Sequence, residues 1–283
     1  MNTKVSIIVP CYKQAHFLKD SLQSVLDQSY PYWECIIVND GSPDNTAAIA
    51  KQWTTRDSRI LYVEKENGGL SSARNFGIKQ SKGEYIVALD ADDILHKDYL
   101  IKLVPELEND PSLAIVSSYR EFFRENKENV FFKEKAKGTN YRDFMFENIL
   151  MPSSMYRKKY WNEVGGYDEN MKKGFEDWDF WLSITKNGRK FKFVQEYLFY
   201  YRKSKNSMLI DTLKNHRIDV MQYVFEKHKE IYVKHYDNTL EYLFFLINLH
   251  RNTEIKIKKS IEYKIAKAIC KPYRMLKKMW RKK

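Results

Sequence analysis

Three carboxylates fall within four residues, at Asp90, Asp92 and Asp93. They follow the run Tyr85-Ile86-Val87-Ala88-Leu89, which is short, apolar and bounded by Gly83, the pattern of a buried strand. Carboxylates this close repel one another unless something positive sits among them. A divalent cation bridging two phosphates suits such a cluster, because hard cations prefer oxygen ligands. In an open α/β sheet, the C-terminal edge of a strand is where ligands bind. A second reading stays open on these residues alone: a solvated acidic turn capping a helix that starts near Lys97 or Asp98.

Other chemistry-bearing residues lie at comparable places. Asp40 ends the apolar run from Glu34, ahead of Gly41-Ser42-Pro43. There a carboxylate can accept from a base N–H or a ribose hydroxyl. Tyr12 follows Val5-Ser6-Ile7-Ile8-Val9-Pro10-Cys11, either stacking on a base or packing as a partly buried aromatic. Arg74 opens a helix after Gly68-Gly69, and its fork suits phosphate oxygens, although a surface helix arginine reads the same way. Glu176, Asp177 and Asp179 open another helix after Gly174, where the helix dipole and capping also favour acids.

The elements that must position these residues alternate. Strands are expected at 5–9, 34–39, 60–64, 85–89 and 114–118. Helices are expected at about 16–28, at 44–53 with Asp44 or Asn45 as cap, and at 71–80. This rhythm predicts parallel βαβ units with helices on both faces. Residues 120–137 read as an extended insertion or hairpin, followed by helices near 141–150 and 157–164. A helix over 177–186 carries Trp178, Trp181, Leu182 and Thr185 on one face. Strands near 191–194 and 197–202 follow, and after about 206 the pattern is helical.

Five motifs occur in an order that resembles the family-2 glycosyltransferases: Val-Pro-Cys-Tyr at 9–12, Val-Asn-Asp-Gly-Ser-x-Asp-x-Thr at 38–46, Ala-Arg-Asn at 73–75, Leu-Asp-Ala-Asp-Asp at 89–93 and Gly-Phe-Glu-Asp-Trp-Asp at 174–179. The resemblance covers about residues 1–205. It implies a GT-A fold, a Rossmann-like and mostly parallel sheet flanked by helices. The donor half would span about 1–118 and the acceptor half about 119–205, with a helical region over 206–283.

The resemblance also implies a nucleotide-sugar donor, commonly a uridine one, contacted by Pro10, Tyr12, Asp40, Arg74, Asp90 and Asp92. Asp92 would ligate Mg²⁺ or Mn²⁺ directly. Asp90 would touch the ribose or a metal-bound water, and Asp93 would cap the next helix or touch the sugar. Asp177 matches the family's catalytic base, with in-line attack inverting the anomeric carbon. Glu176, Trp178 and Asp179 fall on the acceptor side, Trp178 being equally a core residue. The stretches 151–156 and 165–168 resemble the wall of the acceptor pocket. One departure is clear: Lys203-Ser204-Lys205 stands where many relatives carry a histidine, so no histidine ligand carries over, and whether Lys203 or Lys205 supplies positive charge instead stays open.

Composition bounds the remainder. The chain has 283 residues and a net charge of +12. Residues 251–283 alone hold 13 Lys/Arg and 2 Glu, a net of +11. There Ile257, Ile261, Ile265, Ile269, Tyr273, Leu276 and Trp280 recur at helical steps, interrupted at Pro272. This basic amphipathic pattern fits a helix lying on anionic lipid, which suits a saccharide or lipid-linked acceptor. A helix packed on residues 211–250 is the alternative. Three cysteines without metal-ligand spacing read as small buried hydrophobes of a reducing compartment. The first residues lack a secretory pattern, and the longest apolar run, 242–247, is too short to cross a bilayer. These features predict a cytoplasmic enzyme, peripheral on the membrane, of open oligomeric state. Two rivals fit less well. A sugar-phosphate nucleotidyltransferase wants a glycine-rich basic loop where Pro10-Cys11-Tyr12-Lys13-Gln14 stands. A nucleic-acid binder using the tail leaves the acidic cluster without a purpose.

Overall fold

The structure is a computed structural model that describes residues 4–204 and 207–280, with side chains to residue 272. The donor half alternates β1 (Val5–Cys11), α1 (Leu18–Leu26), β2 (Trp33–Asp40), α2 (Thr46–Thr54), β3 (Ile60–Lys65), α3 (Leu70–Gln80) and β4 (Tyr85–Ala88). Every residue of β1, β2 and β4 is buried. Strands covered on both faces need continuous apolar runs, and these runs supply them. Leu18, Leu22 and Val25 of α1 have no exposed surface, each such side chain contributing roughly 1.5–3 kcal/mol. Helix α3 packs close on the sheet at Gly77, where a Cβ would lie 2.6 Å from Ile8 Cγ2 and 2.8 Å from Val38 Cγ2.

Next come β5 (Ile94–Leu95), α4 (Tyr99–Asn109), β6 (Leu113–Phe123), β7 (Val130–Glu134), β8 (Met155–Arg157), α5 (Lys158–Val164), α6 (Glu176–Thr185) and β9 (Lys190–Arg202). The sheet order is β3-β2-β1-β4-β8-β6-β9-β5, with β7 paired on β6. It is parallel from β3 to β4 and mixed beyond, since β8 runs against both β4 and β6. The order reverses beside β1 and β4, so a crevice opens at their C-terminal ends. The short β5 pairs with β9, Ile94 opposite Tyr200, and pins the segment after Asp90–Asp93 to the far strand.

Several expected elements take a different form. The helix near 141–150 is a single 3₁₀ turn, Tyr141–Asp143, followed by irregular chain. Asn148 Oδ1 accepts from Leu150 N, a local bond that competes with helical pairing. The strands near 191–194 and 197–202 are one strand, with a register shift that absorbs residues 195–196. Residues 120–134 do form a hairpin, one of the two forms expected there, with β6 turning into β7.

Beyond β9 the described chain is helical: α7 (Met208–Asp211), a π turn (Thr212–His216), α8 (Arg217–Lys227), α9 (Lys229–Lys234), α10 (Tyr236–Lys259) and α11 (Ile261–Trp280). The chain divides into compact units Met1–His228 and Lys229–Lys283. The first unit extends through α8 because Lys227 and His228 pair with Asp179. In the second unit the tail breaks at Ser260, whose ψ of 151° is extended, and not at the expected Pro272, which lies inside α11. Ile257, Ile261, Ile265 and Ile269 are exposed, while the side chains of Tyr273, Leu276 and Trp280 lie outside those described. No helix among the described residues is long and apolar enough to cross a membrane. Cys11 and Cys35 are buried and Cys270 is exposed, all with free thiols.

Candidate active site

Several of the residues singled out by sequence lie around the C-terminal ends of β1, β2 and β4. Pro10 is buried at the end of β1, and Tyr12 beyond it is 41% exposed, with Lys13 Nζ 5.1 Å from its ring centre. The backbone there is held by a bond from Lys13 N to Ser42 Oγ (2.8 Å). Asp44 fastens the same turn, accepting from Ala15 N, Ser42 Oγ and Thr46 N. Burial works against its charge, but those hydrogen bonds hold its carboxyl down at about 2. Asp44 thereby caps α2, and Asn45 makes no capping bond.

Asp40 is 2% exposed and its carboxylate is saturated. One oxygen accepts from Lys65 Nζ and Gly68 N (both 3.0 Å); the other accepts from Gly69 N (2.9 Å) and Asn67 Nδ2 (3.2 Å). Asp40 therefore builds the Gly68-Gly69 turn that launches α3, where Gly69 takes φ +91°. Lys65 and Asn67 carried no sequence signal of this role.

Arg74 has no exposed surface. Its Nη1 donates to Glu176 Oε1 (2.6 Å) and its Nη2 to Asp90 Oδ1 (2.8 Å). The guanidinium carbon sits 5.3 Å from the centre of the Tyr167 ring. Arg74 thus joins a carboxylate 16 residues on to another 102 residues on, and faces those acids and not open solvent.

Asp92 is half-buried. Burial first, and the charge of Asp90 second, raise its carboxyl to about 6; Arg202 and Gln14 pull the other way. Asp93 is buried and pushed up by burial and then by Asp92 and Asp90, and it accepts from Arg202 N (2.8 Å). Arg202 organises this turn. Its Nε donates to the Asp92 carbonyl, its Nη2 to Asp20 and its Nη1 to the Glu125 carbonyl. Its role was not legible beforehand, since it reads simply as the end of a strand. Lys203 Nζ lies 5.6 Å from the Phe122 ring centre and 5.7 Å from that of Tyr201. Lys205 lies outside the described residues.

Among the described residues no three His, Cys, Asp or Glu side chains converge as a ready-made metal cage. The donor set still fits a cation that arrives with phosphates. The Asp92 carboxylate makes no salt bridge among the described residues, and its raised proton affinity, set first by burial and then by the charge of Asp90, leaves room for a positive guest. Mg²⁺-type sites commonly use one or two carboxylates with substrate oxygens completing the shell.

Helix α6 begins after Gly174 (φ +95°) and Phe175 (φ +62°). Phe175 and Lys13 are the described non-glycine residues with positive φ, next to Glu176–Asp177 and to Tyr12 respectively. Strain of this kind clusters at functional sites. Asp177 accepts from Asn148 Nδ2 (2.9 Å) and Trp178 N (2.8 Å). Burial, then the charge of Glu176, lift its carboxyl to about 7, against the pull of Arg74 and the Trp178 N–H. A carboxyl poised there can exchange a proton at working pH. Trp178 is core: it is 2% exposed and its Nε1 donates to the Phe144 carbonyl (2.8 Å). Asp179 turns away to hydrogen-bond His228 Nε2 and to pair with Lys227 (both 2.9 Å), tying α6 to α8. Asn148 had no signal in the sequence, as it lies in the segment read as helix.

Comparison with known proteins gives this geometry its lineage. The chain is 33% identical over 156 residues to glycosyltransferase GlyA of Streptococcus pneumoniae serotype 4, a match covering 55% of this chain and 22% of GlyA. The structure of S. aureus TarS 1–349 in complex with UDP-GlcNAc superposes with a TM-score of 0.63 at 20% identity, covering 73% of this chain and 60% of that one. The mannosyltransferase PcManGT from Pyrobaculum calidifontis, in complex with GDP-Man and Mn²⁺, gives 0.61 at 18% identity, covering 100% and 89%. These structures share the α/β GT-A architecture expected from the motifs. The sequence profile described as glycosyl transferase family 2 matches residues 6–170, more than half of the chain and all but the last of its five motifs. The chain belongs to glycosyl transferase family 2.

Proposed function

We propose that the chain is an inverting, metal-dependent glycosyltransferase. It moves a sugar from a nucleotide-sugar, with uridine as the base, to a hydroxyl of a saccharide or lipid-linked acceptor in cell-surface glycan synthesis. The observation that carries this reading is Asp177, a buried carboxyl lifted to about 7 and linked through Glu176 and Arg74 to Asp90 of the acidic cluster.

Each residue has a task in the reaction. The Tyr12 ring offers a face to the base, and Pro10 shapes the wall beside it. Asp40 keeps the glycine turn rigid beneath the donor. Asp92, with Asp90 behind it, holds the donor's cation; that cation, when bound, neutralises charge developing on the diphosphate. Asp177 accepts the proton of the acceptor hydroxyl as its oxygen bonds to the anomeric carbon. The bond from that carbon to the diphosphate breaks, and the diphosphate leaves with the electron pair from the opposite face. Glu176 holds Arg74 and does not touch the acceptor. The enzyme works at the cytoplasmic face of the membrane, held there by residues 251–283.

A thermal-shift screen of nucleotide-sugars, with and without Mn²⁺, tests the reading. The right donor raises the melting temperature by mass action, more so with metal. Asp92→Asn should remove the metal-dependent part. Equal donor affinity in both proteins with Mn²⁺ present overturns the assignment.

A further inference from the structure

Arg74 was expected at a diphosphate, yet it is wholly buried between two carboxylates. Those carboxylates come from the two functional halves of the crevice, Asp90 after β4 and Glu176 at the start of α6. The Asp90 side chain is 23% exposed and the Glu176 side chain 6%. One of the partners can therefore be reached by an incoming donor, while the other stays sealed beside Asp177. The guanidinium Nε has no acceptor among the described residues, so the whole hydrogen-bonding output of Arg74 goes to this pair. An arginine fork can span two carboxylates; a lysine ammonium is a single point.

We propose that Arg74 is a positioning residue that ties the donor carboxylate Asp90 to the Glu176–Asp177 pair, so that donor seating and the charge state of the base are coupled through one buried guanidinium. This inference rests on Asp177 being the base. The charged and titratable groups that face Asp177 are Glu176 on its own helix, Arg74 on α3, Asp90 after β4 and Tyr167 on the turn before α6. Asn148 and the Trp178 N–H, both uncharged, complete its surroundings. Only Arg74 among these is positive. With the Asp90 charge neutralised, Asp177 would face one negative charge fewer while the positive charge of Arg74 still acts on it. The carboxylate form of the base is then favoured once the donor is seated.

The test is a carboxyl ¹³C NMR titration of Asp177 in donor-free protein, in wild type, Glu176→Gln and Arg74→Met. Loss of the Glu176 charge should lower the Asp177 midpoint, and loss of Arg74 should raise it, each by about one pH unit or more. Glu176→Gln keeps the shape of the site, so the proposal stays testable if Arg74→Met folds poorly. Arg74→Met, where folded, should also weaken donor binding by about tenfold or more, because Asp90 loses a charged hydrogen bond. A residue that merely fills space would shift melting temperature and leave the Asp177 midpoint in place. Unmoved midpoints, with Asp177→Asn still inactive, overturn the coupling and spare the base. Wild-type turnover by Asp177→Asn overturns the base itself, and the coupling with it.

Discussion

Asp177→Asn should make the protein more stable and nearly inactive, and the size of the stability gain should depend on pH. In the folded chain the Asp177 carboxyl is raised from its ordinary 3.8 to about 7, with burial the largest cause and Glu176 next. Below 3.8 both folded and unfolded states hold the proton, and the group is neutral in the balance. Between 3.8 and 7 the folded state holds the proton and the unfolded state does not, so stability falls as pH rises. Above 7 the full penalty is present, roughly three pH units at about 1.4 kcal/mol each, or about 4 kcal/mol. Asparagine removes that penalty. It also forfeits one bond, since an amide cannot accept from both Asn148 Nδ2 and Trp178 N in the same way, at a cost of about 1 kcal/mol. The net gain at pH 8 is then about 3 kcal/mol, shrinking to zero or below near pH 4. Urea midpoints of both proteins at pH 4, 6 and 8 measure this directly, alongside turnover, which should drop by about 10²–10⁴-fold. A stability difference that is the same at pH 4 and pH 8 would refute the reasoning, because the carboxyl would not be titrating near 7. A trade of stability for function at one residue is the expected signature of a catalytic group in a buried site.

Wild-type kcat/KM should rise about tenfold between pH 6 and pH 8, following the ionised fraction of a base near 7; a flat profile over that range removes Asp177 from the proton transfer. Gly77→Ala should destabilise by about 1–3 kcal/mol in urea titration, because the new methyl meets Ile8 and Val38, and a neutral result would mean that α3 can lift from the sheet. Deleting residues 261–283, from the break at Ser260 onward, should leave donor binding intact and abolish sedimentation with anionic liposomes at low salt. Each basic residue near such a surface contributes about 1 kcal/mol, so equal liposome binding by both proteins excludes the lipid contact.

Much of the donor half was legible because β1, β2 and β4 are buried on both faces. Continuous runs such as Val5–Val9 and Ile36–Val38 admit few alternatives, and the glycine turns punctuate them. The acceptor half was less legible for a physical reason. Residues 144–154 are held by side chain to backbone bonds, as at Asn148 and Ser154, and such bonds have no period to read. That irregular chain is also what delivers Asn148 to Asp177. The strand β9 looked like two because its register shift hides in Gln195-Glu196. Asp40 and Arg74 drew notice as possible contacts to a ligand, but one is saturated by a loop and the other is enclosed by two acids. No local pattern could reveal that, because their partners lie 16–102 residues away. Arg202 is the same case, a strand-end residue whose value lies in reaching back to Asp92 and Asp93.

The central claim is in-line displacement with Asp177 taking the acceptor's proton, and its stereochemistry is directly observable. Once the thermal-shift screen supplies a donor, ¹H NMR of the transfer product with that donor and its acceptor reads the anomeric configuration at the transferred sugar. The account predicts a configuration opposite to that of the donor. Retention would require two displacements and a second group at the anomeric carbon, and would contradict it.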